Sequence, residues 1–190
     1  MTATTTPDDA IALTRAWVDE AVIGLNLCPF AKAVQARGQI RYVHTDDTDA
    51  EDLLNTLAVE LQFLAEASPE AVDTTLIVHP QVLTDFLEYN DFLELADQLV
   101  EDLGLDGVLQ VASFHPQYQF EGTAPDDVGN ASNRSPFPTL HLLRESSVDR
   151  AVDAFPEAER IYEANIETLQ RLGPEGWAQV QARIRGAAGG

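Results

Sequence analysis

Three of the four histidines follow hydrophobic runs at nearly equal spacing. The runs end at His44, His79 and His115, and the gaps between these histidines are 35 and 36 residues. That spacing is about the length of a strand–helix unit. If the runs are parallel strands of one sheet, the imidazoles lie at its carboxyl edge, where open α/β sheets bind their ligands. The sequence therefore predicts where a site lies, but it does not predict which reaction takes place there.

His79 and His115, each followed by Pro-Gln, are the first candidates for catalysis. One imidazole near neutral pH would serve as a general acid or base. A metal ion would need both of them and a third ligand, His44 or His141, but the sequence lacks the short paired spacing of strong zinc motifs. The structural alternative is an imidazole at a strand end that binds a backbone carbonyl. These interpretations stay open, and we assign no metal ligand.

Cys28 is the only cysteine, and it precedes a proline. That order predicts that Cys28 caps a short helix, with Pro29 at the first helical position. The helix dipole and Lys32, one turn further on, would then favour the thiolate, which is the nucleophilic form of cysteine. Cys28 is therefore the third catalytic candidate. The alternative is an inert thiol that packs at a helix start, because free cysteine is usually buried.

The segment 116–138 has no sustained periodicity and is long for a structureless connection in a compact domain. Its aromatic residues favour an ordered loop that folds over the edge of the sheet. Arg134, its only basic residue, offers a planar fork for a carboxylate or phosphate, and we expect its guanidinium to face a cavity at the strand ends. Alternatively, the polar side chains of the loop bind its own backbone. The candidate substrate-binding residues are Arg134, Asn130, Asn133, Glu121 and His141.

Hydrophobic patterns predict the elements that position these residues. We expect strands near 40–44, 74–79, 107–114 and 139–144. The first three would be parallel neighbours joined by right-handed crossovers, and the fourth could return antiparallel beside the third. The predicted fold class is α/β, a small, mostly parallel four-stranded sheet with helices packed on it. Helix starts are expected at Thr6, in a capping box from Thr48 to Glu51, near 81–88, at Asn90 and at Pro156, with a break at Gly173.

Length and composition limit the class of protein. The chain has 190 residues, and 45% of them are apolar. We therefore expect a single globular domain over 1–190, with frayed ends near 1–6 and 186–190. The net charge of −21 repels phosphate backbones and anionic surfaces, so we expect neither nucleic acid nor membrane as a partner. The lone cysteine, and the lack of a signal-peptide pattern in the first residues, favour a cytoplasmic acidic protein. Cofactor and oligomeric state stay open.

Several longer motifs point to one known family. They are Gly24-Leu-Asn-Leu-Cys-Pro-Phe-Ala31, His79-Pro80, Tyr89-Asn-Asp-Phe-Leu93, Phe114-His-Pro-Gln-Tyr-Gln-Phe120, Asn133-Arg-Ser-Pro136 and His141-Leu-Leu-Arg144. With these motifs the chain resembles, from about the first helix to about Trp177, a bacterial family catalogued as domain of unknown function 1415. The resemblance implies a soluble, single-domain bacterial protein, and it implies no activity, cofactor or catalytic residue.

The leading hypothesis is an enzyme that acts on a small polar or anionic molecule at the carboxyl edge of the sheet, under the 116–138 loop. In it Arg134 binds an anionic group and His115 acts as a general acid–base or as a ligand. Cys28 would take part if its helix packs near that edge. Whether the protein is an enzyme at all stays open. The alternative is a non-catalytic acidic adaptor for a basic partner protein, which would need an exposed face and no pocket.

Overall fold

The computed structural model describes residues 6–155, 157 and 160–187 as an α/β fold with one mixed four-stranded sheet. In space the strands follow the order β1, β2, β4, β3. β1 and β2 are parallel, and β4 is antiparallel to both of its neighbours. The strands are β1 (Ile40–His44), β2 (Thr74–Val78), β3 (Leu109–Phe114) and β4 (Thr139–Arg144).

The mostly parallel sheet predicted from sequence is therefore wrong, although all four strands lie where they were predicted. β4 follows β3 without a crossover helix, so it returns antiparallel beside β3 as expected. Its other edge then pairs with β2, which places it between the second and third strands. The three strands that run the same way consequently include only one neighbouring pair, β1 and β2.

Helices cover both faces of the sheet. Thr6 caps the first helix as predicted, because its Oγ1 accepts a hydrogen bond from the backbone of Asp9. Gly173 breaks the last helix as predicted, with a φ of 65°. The predicted helix start at Pro156 lies outside the described residues, and so does most of the predicted fraying near 1–6 and 186–190. The helices are α1 (Pro7–Trp17), a π-helix (Val18–Ile23), α2 (Ala31–Ala36), α3 (Ala50–Glu66), α4 (Phe86–Asp102), a 3₁₀-helix (Val128–Asn133), α5 (Glu145–Ala154) and α6 (Ile161–Ala187).

Two predicted helix starts are corrected. α3 begins one residue later than the capping box indicated, because Asp49 is its N-cap and accepts from the backbone of Asp52. The predicted short helix near 81–88 does not form, because residues 81–85 are not helical. One helix, α4, begins at Phe86 and runs through Asn90, the predicted cap of the longer helix. Asp85 caps it by accepting two backbone hydrogen bonds. Asn90 is an exposed residue inside this helix, whose neighbour Tyr89 packs in the core.

The side chains of each strand alternate between two different layers. One face packs against α3 and α4 in the larger core, which includes Leu57, Tyr89 and Leu142. The other face meets α1, the π-helix and α6 around Trp17 and Leu76. No helix within the described ranges is long and apolar enough to cross a bilayer.

Candidate functional site

His79 and His115 lie at the same edge of the sheet, one residue beyond the ends of β2 and β3. The prediction that they follow neighbouring strands is wrong, because β4 lies between β2 and β3. Tyr89 of α4 stands between the two imidazoles. Its ring centroid is 5.7 Å from that of His79 and 5.1 Å from that of His115. The predicted edge is therefore a closely packed aromatic cluster.

Both imidazoles at this edge bind backbone groups. Nδ1 of His79 donates to the carbonyl of Val82 at 3.0 Å. Nε2 of His115 lies 3.2 Å from the carbonyl of Leu83, and its Nδ1 accepts from the backbone of Gln117 at 3.0 Å. Leu83 has a φ of 53°, which is unusual for leucine, and the hydrogen bond from His115 helps to hold it there. Both histidines thus fit the alternative in which an imidazole at a strand end binds a backbone carbonyl. This arrangement leaves His115 no free ring nitrogen for proton transfer.

Burial keeps both histidines neutral at pH 7. Each is fully buried, and burial lowers the pKa of His79 to about 4 and lowers that of His115. Nε2 of His79 has no hydrogen-bond partner among the described residues. No three His, Cys, Asp or Glu side chains converge anywhere in the described part of the chain, so the arrangement gives no support to the metal alternative.

Arg134 holds the long loop together. Its Nε donates to the carbonyl of Tyr118 at 3.0 Å and its Nη2 to the carbonyl of Pro125 at 2.6 Å. Both acceptors belong to the loop itself. The guanidinium is therefore engaged with backbone, in contrast to the expectation that it faces a cavity at the strand ends.

The side chain of Asn130, like that of Arg134, binds groups of the loop itself. Glu121, by contrast, is exposed. Asn130 is fully buried, and its Oδ1 accepts from the backbone of Phe120 and from the hydroxyl of Thr123. Its Nδ2 donates to the carbonyl of Ala124 at 2.9 Å. The amide thus has partners on both sides within the loop, and it organises the loop rather than presenting a free group.

A cavity of about 420 Å³ lies beneath α2 and α5, on the face of the sheet opposite to α3 and α4. It contains three of the residues selected from sequence, Cys28, Asn133 and His141. His79, His115, Arg134, Asn130 and Glu121 are not part of its wall. The wall is mainly apolar, and it includes Trp17, Val18, Val22, Leu27, Phe30, Val34, Ile40, Leu76, Ala112, Phe114, Leu143 and Val148.

The π-helix brings Cys28 to this cavity. π-helical turns occur frequently at functional sites. The carbonyl of Val22 accepts hydrogen bonds from the backbones of Leu27 and Cys28 after the chain reverses at Asn26, whose φ is 55°. Asn165 of α6 fixes the same turn by donating to the carbonyl of Leu27 at 2.9 Å. The thiol is half-buried in the cavity wall.

The predicted capping role of Cys28 is wrong. α2 begins at Ala31, and its N-cap is Phe30, which has helical backbone angles. The carbonyl of Cys28 instead accepts from the backbone of Ala31 at 3.2 Å, which makes a separate turn before the helix. The dipole of this six-residue helix therefore gives no argument for a reactive thiolate.

His141 stands in the floor of the cavity, on β4. Its ring stacks on Phe114, with centroids 5.5 Å apart and planes inclined by 29°. Its Nε2 lies 2.8 Å from Oγ1 of Thr74 on β2. Burial lowers the pKa of His141 to about 4, so the imidazole is neutral at pH 7.

Two weakly anchored helices cover the cavity. Every residue of α2 and of α5 is described, and none of them is buried. Val34 of α2 and Val148 of α5 face the same space. The rings of Phe30 and Phe155 meet edge to face, 6.1 Å apart, beside these helices. Elements with so little buried surface are those that open most readily by local fluctuation.

Sequence reasoning missed the cavity and several of its residues. Trp17 and Thr74 were not selected, because an aromatic residue in a helix and a threonine in a strand are ordinary core residues. The available signal was on β3, where Gln110 and Ala112 alternate with large apolar side chains. A polar and a small side chain on one face of this edge strand leave space that a helix does not fill.

Fold and cavity together define an α/β protein with a mixed sheet and a pocket the size of a small molecule. The chain belongs to the family described as protein of unknown function (DUF1415), whose model matches residues 9–179. This match confirms the family resemblance of the sequence motifs. No curated protein and no solved structure matches the chain.

Proposed function

We propose that this protein binds a small, largely apolar molecule in the cavity between the sheet and helices α2 and α5. The observation that carries the proposal is the cavity itself. Its volume of about 420 Å³ falls within the range of small-molecule sites, and a mainly apolar wall with a few polar groups is typical of them. The carboxyl edge is a weaker candidate, because the polar groups there bind backbone.

The charge of the wall supports an uncharged ligand. The described residues of the wall include no lysine or arginine, and they include Asp73. A carboxylate or phosphate would therefore meet no positive charge in a space of low dielectric constant. The polar or anionic substrate suggested by the sequence thus gives way to an apolar one. A nucleophilic role for Cys28 stays a prediction, and so does the acidic adaptor, which needs no internal cavity.

Movement of α2 and α5 would widen the entrance to the cavity. Both helices have no buried residue, and the contact of Phe30 with Phe155 lies beside them. Local opening of this kind costs less free energy than global unfolding.

The test is stabilisation by p-xylene, followed as the melting temperature against concentration. A ligand that binds only the folded state raises this temperature progressively. Ala112→Leu would fill the cavity from β3 and should abolish the effect. Ala65→Leu is the matched control, because Ala65 is also half-buried but packs on the opposite face of the sheet. No stabilisation of the wild type, or equal stabilisation of Ala112→Leu, would contradict the proposal.

A further inference from the structure

The hydrogen bonds of Thr74 fix where the proton of His141 lies. Oγ1 of Thr74 is 2.6 Å from the carbonyl oxygen of Leu142 and 2.8 Å from Nε2 of His141. A carbonyl only accepts, so it receives the single hydroxyl proton of Thr74. The imidazole must then donate from Nε2. A neutral imidazole has one N–H, which leaves Nδ1 as an unprotonated acceptor.

Nδ1 of His141 is therefore a hydrogen-bond acceptor without a partner among the described residues. The ring forms part of the cavity floor, and β2, β4 and Phe114 hold its other sides. An acceptor that faces an apolar space gains most from a ligand that supplies one donor.

We propose that the ligand of this cavity carries a hydroxyl group on its apolar body, and that His141, oriented by Thr74, recognises that hydroxyl as a donor. This inference rests on the proposed function. A hydroxyl group supplies one donor and adds little other polarity, so its chemistry matches the single acceptor that His141 presents in a mainly apolar wall. His141 is then the residue that determines specificity, and Thr74 is a positioning residue that sets its tautomer.

Three ligands of similar shape separate the contributions. p-Cresol has a hydroxyl, 4-methylanisole keeps the oxygen without the donor, and p-xylene has neither. We expect calorimetry to give p-cresol a dissociation constant about fivefold below that of 4-methylanisole, the typical effect of one net hydrogen bond. In His141→Phe this ratio should fall to about one, because the variant has no acceptor at this position. Thr74 keeps its bond to Leu142 in this variant, so no buried donor is left unpaired.

The outcomes distinguish this inference from the proposed function. If none of the three ligands binds, both fail. If all bind with a ratio that His141→Phe does not change, the apolar site stands and the hydroxyl inference is overturned.

A measurement on the unmodified protein covers the case in which His141→Phe does not fold. Long-range ¹H–¹⁵N spectra of the histidine rings should show His141 protonated at Nε2 and bare at Nδ1. The Nδ1 signal should move with p-cresol and stay in place with p-xylene. Thr74→Val should weaken this tautomer preference. The opposite tautomer, or equal responses to the two ligands, would overturn the inference.

Discussion

Nε2 of His141 lies 2.8 Å from Oγ1 of Thr74, a residue 67 positions earlier in the chain, on the adjacent antiparallel strand. The contact depends on the position of β4 beside β2. It fixes both the orientation and the tautomer of an imidazole in the floor of the cavity. The pairing of the strands and the chemistry of the candidate site are therefore one structural feature.

Acid should destabilise the protein through its buried histidines. Burial lowers the pKa of His79 and of His141 from 6.5 to about 4. Between these values the unfolded chain binds more protons than the folded one, so the free energy of unfolding falls as the pH falls from 6.5 to about 4. Each histidine contributes up to roughly 3 kcal/mol, all of it present above the unfolded pKa. Urea unfolding at about pH 7 and about pH 4.5 measures the loss.

His141→Phe separates this effect from the titration of the many carboxylates. The variant keeps every acidic residue, so a smaller loss of stability than in the wild type isolates the contribution of His141. Equal losses in the two proteins would show that His141 is protonated as easily in the folded state as in the unfolded one.

Occupation of the cavity should protect Cys28 from alkylation. Its thiol lies in the wall, and it is the only cysteine, so labelling by N-ethylmaleimide reports on one site. We expect saturating p-xylene to slow the labelling severalfold, because both molecules need the same space. Cys28→Ser should not be labelled. An unchanged rate at p-xylene concentrations that raise the melting temperature would place the thiol outside the ligand site.

The end of the π-helix should not tolerate a side chain at Gly24. A Cβ atom there would lie 2.3 Å from the carbonyl oxygen of Glu20, which is part of the backbone and cannot move aside easily. We expect Gly24→Ala to cost about 1–3 kcal/mol of stability and to change the alkylation rate of Cys28. Gly186→Ala is the control, because Gly186 is helical and no atom beyond its chain neighbours and the adjacent helix backbone lies within 4 Å of its added Cβ. Chemical denaturation that ranks the two variants equally would contradict the close approach at Gly24.

Much of the local structure could be predicted from the sequence, because its causes are local. Thr6 caps α1 with its own hydroxyl, and all four hydrophobic runs form strands. The second neighbour of β4 could not be predicted, although its pairing with β3 was. Its pairing with β2 joins residues such as Leu76 and His141, which are far apart in sequence and have no distinctive pattern. Asn90 misled the prediction of α4 because the burial of Tyr89 outweighs a local capping preference.

The sequence placed the candidate site at the strand ends, whereas the proposed ligand site is the cavity on one face of the sheet. Cys28 and His141 were selected for their chemistry, and both lie in the cavity. His79 and His115 were selected for their position at the strand ends, and they bind the backbone of the turn that follows β2. The space between a sheet and its helices depends on the tertiary arrangement of small side chains such as Ala112. Periodicity within one segment does not contain that information.

Arg134 should stabilise the folded conformation of the long loop. Lysine has a compact ammonium in place of the planar fork, so it cannot bind the carbonyls of Tyr118 and Pro125 in the same way. We expect Arg134→Lys to lose about 1–3 kcal/mol, to speed hydrogen exchange over 118–125, and to bind p-xylene with unchanged affinity. Arg171→Lys is the control, because Arg171 bonds only within its own helical turn. An anion-binding role would be favoured instead if Arg134→Lys were as stable as the wild type, and if phosphate raised the melting temperature of the wild type but not that of the variant.

The most direct test of the cavity as a ligand site is an NMR titration with p-xylene of protein labelled at leucine and valine methyl groups. The account predicts saturable shifts at Leu143 and Val148, which line the cavity. Leu57 and Leu61 should stay unchanged, because they pack in the core on the opposite face of the sheet. Shifts at Leu57 and Leu61 without shifts at Leu143 and Val148, or no shifts at all, would contradict the account.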